Sequence, residues 1–128
     1  MAPILVVEDN EINAEIITTL LEEYGIPNEL AVDGQDAVER CAGKPSEYYS
    51  LILMDIHMPR MNGYDAARTI KTEMHLTAPV IAQTATHTTE ESIREHGSYI
   101  DDYIYKPFRP DQLYEVIRKY LDTEPLHA

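Results

Sequence analysis

The stretch Leu51-Ile52-Leu53-Met54-Asp55 places four apolar residues directly before an aspartate, and Ile56-His57-Met58-Pro59 follows it. A short, continuous apolar run of this kind is typical of a strand buried on both faces, as in a parallel sheet. Asp55 would then lie at the carboxyl end of the strand, which is the edge of an open α/β sheet where ligands bind. The simpler interpretation is that Asp55 only caps a turn before Pro59, and the rest of the chain decides between the two.

The same alternation of apolar run and helical pattern repeats along the chain. Further strands are predicted at residues 4–7, 29–32, 80–83 and 103–105, with the weaker 29–32 nearer an edge. Helical patterns follow the strands at 12–24, 34–41, 66–74, 88–96 and 113–121, and residues 42–50 are predicted to form a loop. Five such alternations indicate an α/β fold, with a five-stranded parallel sheet covered on both faces. One domain over residues 1–128 accounts for the chain, with 122–128 as a flexible tail.

The first helical segment carries a wide apolar stripe. Its members are Ile12, Ile16, Leu20 and Tyr24, with Ile17 and Leu21 beside them. Such a stripe is typical of the face that a helix packs on a sheet. Asn10 or Asn13 is suited to cap the start of this helix, and Gly25 is suited to end it.

Composition narrows the classes of partner. The formal net charge is −13, from 23 acidic and 10 basic residues, which disfavours nucleic acid and anionic membranes.

Cys41 is the single cysteine, so no intrachain disulfide forms, and its helical spacing from Ala37 and Val38 predicts a core position. No apolar stretch approaches the ~20 residues of a membrane span. We therefore expect a cytoplasmic protein without membrane insertion.

Charged and hydroxyl side chains follow the predicted strands. Because right-handed crossovers bring the carboxyl ends of parallel strands to one edge, Glu8, Asp9, Asp55, Thr84 and Lys106 are expected to lie together. Three adjacent carboxylates repel one another and favour a hard divalent cation such as Mg²⁺. A cation, a lysine, a hydroxyl and a carboxylate nucleophile together indicate a phosphoryl-transfer site.

These residues resemble those of the response-regulator receiver domains of two-component signalling, over nearly the whole chain. The resemblance rests on residues 7–10, 54–59 with Asn62-Gly63, Thr84-Ala85, Tyr103 and 106–108. It implies the CheY-like, flavodoxin-like three-layer sandwich with strand order 2-1-3-4-5. The ordered set of motifs is far more specific than any acidic pair alone.

The resemblance also implies roles for individual residues. Asp55 would accept the phosphoryl group, and Lys106, the Thr84 hydroxyl and the Ala85 backbone amide would contact its oxygens. Tyr103 would be the switch aromatic. The set implied for Mg²⁺ (or Mn²⁺) is Asp9, Asp55, the His57 backbone carbonyl and, through water, Glu8. The Lys106-Pro107 bond matches one that is cis in the family, and His57 and Thr86 are expected to influence phosphoryl lifetime.

Two features depart from the family pattern. Gln83 stands in the fourth strand where the family usually has an apolar residue, and a buried amide there requires a partner or an exit to solvent. The segment 98–103 is about two residues longer than usual, which makes the helix before it shorter. The second feature bears on the output face, not on the site.

The function implied is phosphorelay. A histidine kinase or a histidine phosphotransfer protein would donate the phosphoryl group, and the phosphorylated domain would bind a downstream protein or form a homodimer. Output is expected through the segment 88–96, the last strand and the last helix. No enzyme activity is expected beyond the domain's own phosphorylation and dephosphorylation.

Two other functions use similar features. A haloacid-dehalogenase-like phosphatase also has a strand-end aspartate nucleophile and Mg²⁺, but it needs a second aspartate two residues on, where this chain has His57. A flavodoxin-like cofactor carrier needs a phosphate loop after the first strand, and residues 8–11 (Glu-Asp-Asn-Glu) would repel a phosphate. Both therefore rank below the receiver domain.

Overall fold

Five parallel strands form one sheet in the order β2-β1-β3-β4-β5, as predicted. The computed structural model describes residues 2–58, 61–85, 98–106 and 108–121. The strands are β1 (Ile4–Val7), β2 (Asn28–Ala31), β3 (Leu51–Asp55), β4 (Val80–Ala85) and β5 (Asp102–Lys106). The helices within these residues are α1 (Glu11–Glu23), α2 (Gly34–Cys41), α3 (Gly63–Thr72) and α4 (Pro110–Leu121). The predictions for 88–96, Thr86, Pro107 and 122–128 lie outside the described residues.

The sheet separates two apolar layers, because successive side chains of a strand point to opposite faces. One layer joins residues such as Val6, Leu53 and Ile81 to α1 and α4, and we call it the α1/α4 layer. The other joins residues such as Leu5 and Met54 to α2 and α3, and we call it the α2/α3 layer. Both faces of the sheet are therefore covered, which confirms the doubly wound architecture.

Cys41 lies in the α2/α3 layer and is fully buried, as its spacing predicted. Burial raises the pKa of its thiol to about 12. The reactive thiolate is therefore negligible at neutral pH, and the side chain acts as a small apolar group. Within the described residues, no helix combines the length and apolar character needed to cross a bilayer.

Helix α1 packs on the sheet through a narrower face than its sequence stripe suggested. Ala14, Ile17 and Leu21 are its buried residues, whereas Ile12 and Ile16 are 70% and 51% exposed. The apolar stripe extends further around the helix than the surface that the sheet covers. The prediction that Ile12 and Ile16 belong to the packed face was therefore wrong, and they form an exposed apolar pair.

Three helices begin at the edge of the sheet where the strands end. Each is capped by an Asx side chain that accepts a hydrogen bond from the backbone amide three residues on: Asn10 from Asn13, Asp33 from Asp36, and Asn62 from Asp65. Gly25, with φ +73°, ends α1 in the left-handed region, as expected. These caps settle the choice between Asn10 and Asn13 and direct the helix N-termini to one edge.

The entry to β5 is held from both sides. The Asp101 carboxylate accepts hydrogen bonds from the Val80 amide (2.8 Å) and from the Lys71 ammonium. The next residue, Asp102, accepts one from Lys119 of α4 at 3.1 Å. The turn at residues 98–101 is thus fixed against β4, α3 and α4. The departure noted in this segment does not disturb the register of β5 on β4.

Candidate functional site

Three carboxylates converge where β1 and β3 end. Val7 pairs with Met54 in the sheet register, so Glu8 and Asp55 follow side by side. Carboxylate oxygens of Glu8, Asp9 and Asp55 all lie within 4.8 Å of one another. Glu8 and Asp55 are only 2% and 4% exposed, while Asp9 is exposed. This is an all-oxygen donor set of the kind that Mg²⁺ or Mn²⁺ prefers, open to solvent on the Asp9 side.

Lys106 brings the counter-charge from the end of β5. Its Nζ lies 3.1 Å from Glu8 Oε1 and 3.3 Å from Asp55 Oδ2, so one ammonium bridges two buried carboxylates. Burial works against the charged form, but the carboxylates of Asp55 and Glu8 outweigh it and raise the pKa of Lys106. The ammonium is therefore present at neutral pH and is directed at the Asp55 carboxylate.

The surroundings of Glu8 raise the pKa of its carboxyl group. Burial, followed by the charge of Asp55, raises its pKa to about 7, although Lys106 and the Asn10 amide favour its ionised form. The Asn10 amide donates to Glu8 Oε2 at 3.2 Å. Glu8 therefore keeps its proton to a higher pH than an exposed glutamate does, and a bound cation would favour the carboxylate.

This raised pKa predicts how stability depends on pH when no divalent cation is bound. Between pH 4.5 and about 7 the folded protein keeps a proton on Glu8 that the unfolded chain has released. Raising the pH through this window therefore lowers the free energy of unfolding. We expect wild type in EDTA to lose stability relative to Glu8→Gln across the window and to run parallel above it. Urea unfolding at several pH values measures this, and a constant difference at every pH would contradict it.

The loop after β3 is packed tightly against the helix that follows. The His57 amide donates to Asp55 Oδ1 at 3.3 Å, and the His57 side chain is exposed. A Cβ on Gly63 would meet the Asp55 carbonyl oxygen and lie 2.9 Å from Ile56 Cα. Glycine at 63 thus lets the start of α3 approach the Asp55 backbone, which fixes where the carboxylate lies.

Thr84 and Ala85 lie at the end of β4, beside the site. Thr84 is 1% exposed and pairs with Tyr105, and Ala85 pairs with Lys106. The sheet therefore brings Asp55, Thr84 and Lys106 to adjacent strand ends, as the spacing of the motifs predicted. Contacts of the Ala85 amide and of the His57 carbonyl with a ligand remain predictions.

Tyr103 is half-buried on β5 and has a partner that sequence reasoning missed. Its buried hydroxyl lies close to that of Tyr64, in the first turn of α3. Burial and this contact both raise the pKa of Tyr103. A tyrosine next to a helix N-cap carries no signal for such a pairing, because the contact depends on how α3 packs on the sheet.

A polar side chain in this strand was expected to have either a hydrogen-bond partner or an exit to solvent. Within the described residues, Gln83 has neither. It is fully buried, and neither side-chain Nε2 nor Oε1 has a hydrogen-bond partner among the described residues. Its backbone carbonyl accepts the Ile56 amide at 3.1 Å, so the backbone is paired and the side chain is not. Leaving a buried amide unpaired costs free energy that an apolar residue would not cost.

Comparison with known proteins agrees with this geometry. The family model for the response regulator receiver domain matches residues 4–118. The osmosensing histidine protein kinase SLN1 of Saccharomyces cerevisiae is 35% identical over 121 residues, which cover 91% of this chain and 10% of the kinase. The chain spans a tenth or less of the length of SLN1 and of hybrid signal transduction histidine kinase L of Dictyostelium discoideum.

Two solved structures share the fold. The receiver domain of a sensor histidine kinase from Pseudomonas aeruginosa is 31% identical with a TM-score of 0.81, and covers 95% of this chain and 98% of its own. That structure has a magnesium ion coordinated in its active site cleft. The chemotaxis protein CheY4 of Vibrio cholerae has a TM-score of 0.83 over 94% of this chain and 99% of its own; at 24% identity it shows likeness of fold alone.

Proposed function

The chain belongs to the response regulator receiver domain family, and from that premise we propose that it accepts a phosphoryl group on Asp55 from a phosphohistidine of a partner protein. The observation that carries the proposal is the Lys106 ammonium, which bridges the buried Asp55 and Glu8 carboxylates. Phosphorylation would then switch the domain's binding to a downstream protein. The role is that of a phosphoacceptor switch within a signalling relay.

The transfer needs a nucleophile held in line with the donor. An Asp55 carboxylate oxygen attacks the phosphorus, and the bond from phosphorus to the imidazole nitrogen breaks. The electron pair stays on that nitrogen, which then takes a proton. Lys106 neutralises charge on the phosphoryl oxygens, with the Thr84 hydroxyl and the Ala85 amide as further donors. The protein's contribution is positioning and electrostatics.

A divalent cation fits this site. Asp9 and Asp55 would hold it directly, with the His57 carbonyl as a further oxygen ligand. Glu8 would contact it through water. When bound, it supplies positive charge that neutralises the carboxylates and the phosphoryl oxygens. The chain itself supplies the buried carboxylates of Glu8 and Asp55, at the ends of β1 and β3, and the exposed carboxylate of Asp9.

The proposal is tested by locating the phosphoryl group. The protein is incubated with acetyl phosphate and MgCl₂, the acyl phosphate is trapped by borohydride reduction, and peptides are mapped by mass spectrometry. We expect one modified residue, Asp55, and no modification when EDTA replaces MgCl₂. An adduct on another residue, or no adduct at all, would contradict the proposal.

The exposed apolar pair on α1 is suited to receive the phosphodonor protein. Ile12 and Ile16 are one helical turn apart, and α1 begins two residues after Asp9. A partner bound there would bring its phosphohistidine to the mouth of the site. Exposed apolar side chains beside a charged site are typical of a protein interface.

This docking proposal predicts a selective defect. Ile12→Ser should slow phosphoryl transfer from a cognate phosphotransfer protein and leave labelling by acetyl phosphate unchanged, because the small donor needs no docking surface. Thr19→Ser, at another exposed position of α1, is the control. If transfer from both donors slowed equally, the substitution would be acting on the fold or on the chemistry of the site. Ile12 would then have no role in docking the partner protein.

Tyr103 and Thr84 would transmit the phosphorylated state. When the Thr84 hydroxyl moves toward the phosphoryl group, the Tyr103 ring can enter the vacated space and leave Tyr64. Tyr105 is 42% exposed on the same face of the edge strand β5, where a target protein could reach it. Output through β5 is consistent with this arrangement.

NMR of the tyrosine rings tests this coupling. On adding a phosphoryl mimic, Tyr103 resonances should shift, and Tyr64→Phe should shift them part of the way in the unphosphorylated protein, since it removes the outer hydroxyl contact. Tyr48, hydrogen-bonded to Glu29 on β2 at the far edge, serves as the unperturbed reference. An unmoved Tyr103 in a protein whose Thr84 resonances do respond would break the coupling.

A further inference from the structure

Gln83 is a polar residue that the functions assigned above leave unused. It lies in the centre of β4, pairs with Asp55 on one side and Ile104 on the other, and is fully buried. Its backbone is hydrogen-bonded, while both polar atoms of its side chain lack a partner among the described residues. A buried amide held at such a cost is expected where it serves a function.

Sheet alternation places the Gln83 side chain with the functional groups. Gln83 is two residues from Ile81, Asp55 is two from Leu53, and Lys106 is two from Ile104; these three apolar residues all lie in the α1/α4 layer. Since residues two apart share a face, Gln83, Asp55 and Lys106 point to that same side. Paired residues on neighbouring strands are about 5 Å apart, so the amide lies beside the acceptor carboxylate at its buried end.

The hydrogen-bonding capacity of the three groups matches. The Lys106 ammonium has three donors, and within the described residues it makes two contacts, with Glu8 and Asp55. The Asp55 carboxylate accepts from Lys106 and from the His57 amide, which leaves further lone pairs. Among the described residues, one ammonium donor and some carboxylate lone pairs therefore remain available, and the Gln83 amide offers one acceptor and two donors.

We propose that Gln83 is a positioning residue for the acceptor: Nε2 donates to the Asp55 carboxylate and Oε1 accepts the third N–H of Lys106 once a phosphoryl group draws these side chains together. This inference rests on the proposed function of Asp55. The Gln83 side-chain amide would hold the Asp55 carboxylate from its buried side. The backbone amide of His57 holds it from the opposite side. Gln83 acts through Asp55 and Lys106 and does not itself touch the phosphoryl group.

Gln83→Met tests the role, because methionine has nearly the same shape and carries neither polar atom. Labelling by acetyl phosphate is followed over a range of donor concentrations with MgCl₂. We expect the limiting rate to fall about 3- to 10-fold, the effect of losing one hydrogen bond to the reacting group, with an unchanged half-saturating concentration. The melting temperature should equal or exceed that of wild type, since an unpaired amide has been replaced by an apolar group.

Two further measurements keep the outcome decisive. Ile81→Val alters the same face two residues away, and should lower the melting temperature without changing the limiting rate. In wild type, one Gln83 side-chain amide proton should shift downfield on adding a phosphoryl mimic, as it begins to donate. A limiting rate in Gln83→Met within twofold of wild type, or an unmoved amide proton, would overturn the inference.

The same assays separate this inference from the function on which it rests. If wild type is not labelled on Asp55, the proposed function fails whatever Gln83 does. If wild type is labelled on Asp55 and Gln83→Met behaves identically, the positioning role alone fails. A lower melting temperature in Gln83→Met with an unchanged limiting rate would make Gln83 a packing residue and likewise overturn the proposal.

Discussion

Phosphoryl incorporation from acetyl phosphate is expected to fall to background in Asp55→Asn, because an asparagine amide has no carboxylate oxygen to attack the phosphorus. The fold should survive the change. Asn has nearly the same shape as Asp, and losing one of three clustered negative charges relieves repulsion with Glu8 and Asp9. Radiolabel or intact-mass analysis over a time course measures the incorporation.

Asp65→Asn is the matched control for this substitution. Asp65 lies in the first turn of α3, is exposed, and is outside the carboxylate cluster. It should leave incorporation at the wild-type level. Undiminished labelling of Asp55→Asn would show that another residue accepts the phosphoryl group, and loss of labelling in both variants would point to a general effect of charge.

The second large effect concerns the divalent cation. A ligand that binds only the folded state stabilises it by RT ln(1 + [L]/Kd), about 2.7 kcal/mol at 100-fold excess over Kd. MgCl₂ should therefore raise the unfolding free energy of wild type by an amount of this order. The gain should be largely lost in Asp9→Ala, because Asp9 supplies the solvent-facing carboxylate of the cluster.

Glu11→Ala provides the comparison for Asp9→Ala. Glu11 is an exposed acid two residues further on, in the first turn of α1, and does not belong to the carboxylate cluster. Denaturant unfolding with and without MgCl₂ gives two unfolding free energies for each protein. The gain on adding MgCl₂ is then compared between each variant and wild type. If Asp9→Ala and wild type gain equally, Asp9 is not a ligand.

The features that sequence reasoning predicted well are those set by local chemistry. Apolar runs before Glu8 and Asp55 identified buried strands because a strand covered on both faces cannot alternate with polar residues. Asn10 and Asn62 marked helix starts because an Asx side chain satisfies free backbone amides. The strand-end residues came together because all the strands are parallel, so their carboxyl ends share one edge.

What could not be predicted depends on how the elements pack. The stripe on α1 did not reveal that Ile12 and Ile16 lie beyond the face that the sheet covers, since periodicity gives the direction of a stripe and not its covered width. The contact between Tyr64 and Tyr103 joins α3 to β5 and has no local signal. The sequence marked Gln83 as an unusual polar residue in a buried strand, but it could not show that the side chain has no hydrogen-bond partner among the described residues, because that depends on how the elements pack around it.

The two apolar layers differ in when a growing chain can complete them. Among the described residues, every buried member of the α2/α3 layer comes from residues 5–80, whereas the α1/α4 layer includes Ile104, Leu113 and Ile117 from the last strand and helix. During synthesis, then, these buried residues of the α2/α3 layer can pack together before β5 leaves the ribosome. A nascent chain that pauses there exposes the apolar faces of β1 and β3 that α4 will cover, and it holds Glu8 and Asp55 without the counter-charge of Lys106. If Asp55 accepts a phosphoryl group as proposed, the chain can therefore do so only after its last strand has been made and has joined the sheet.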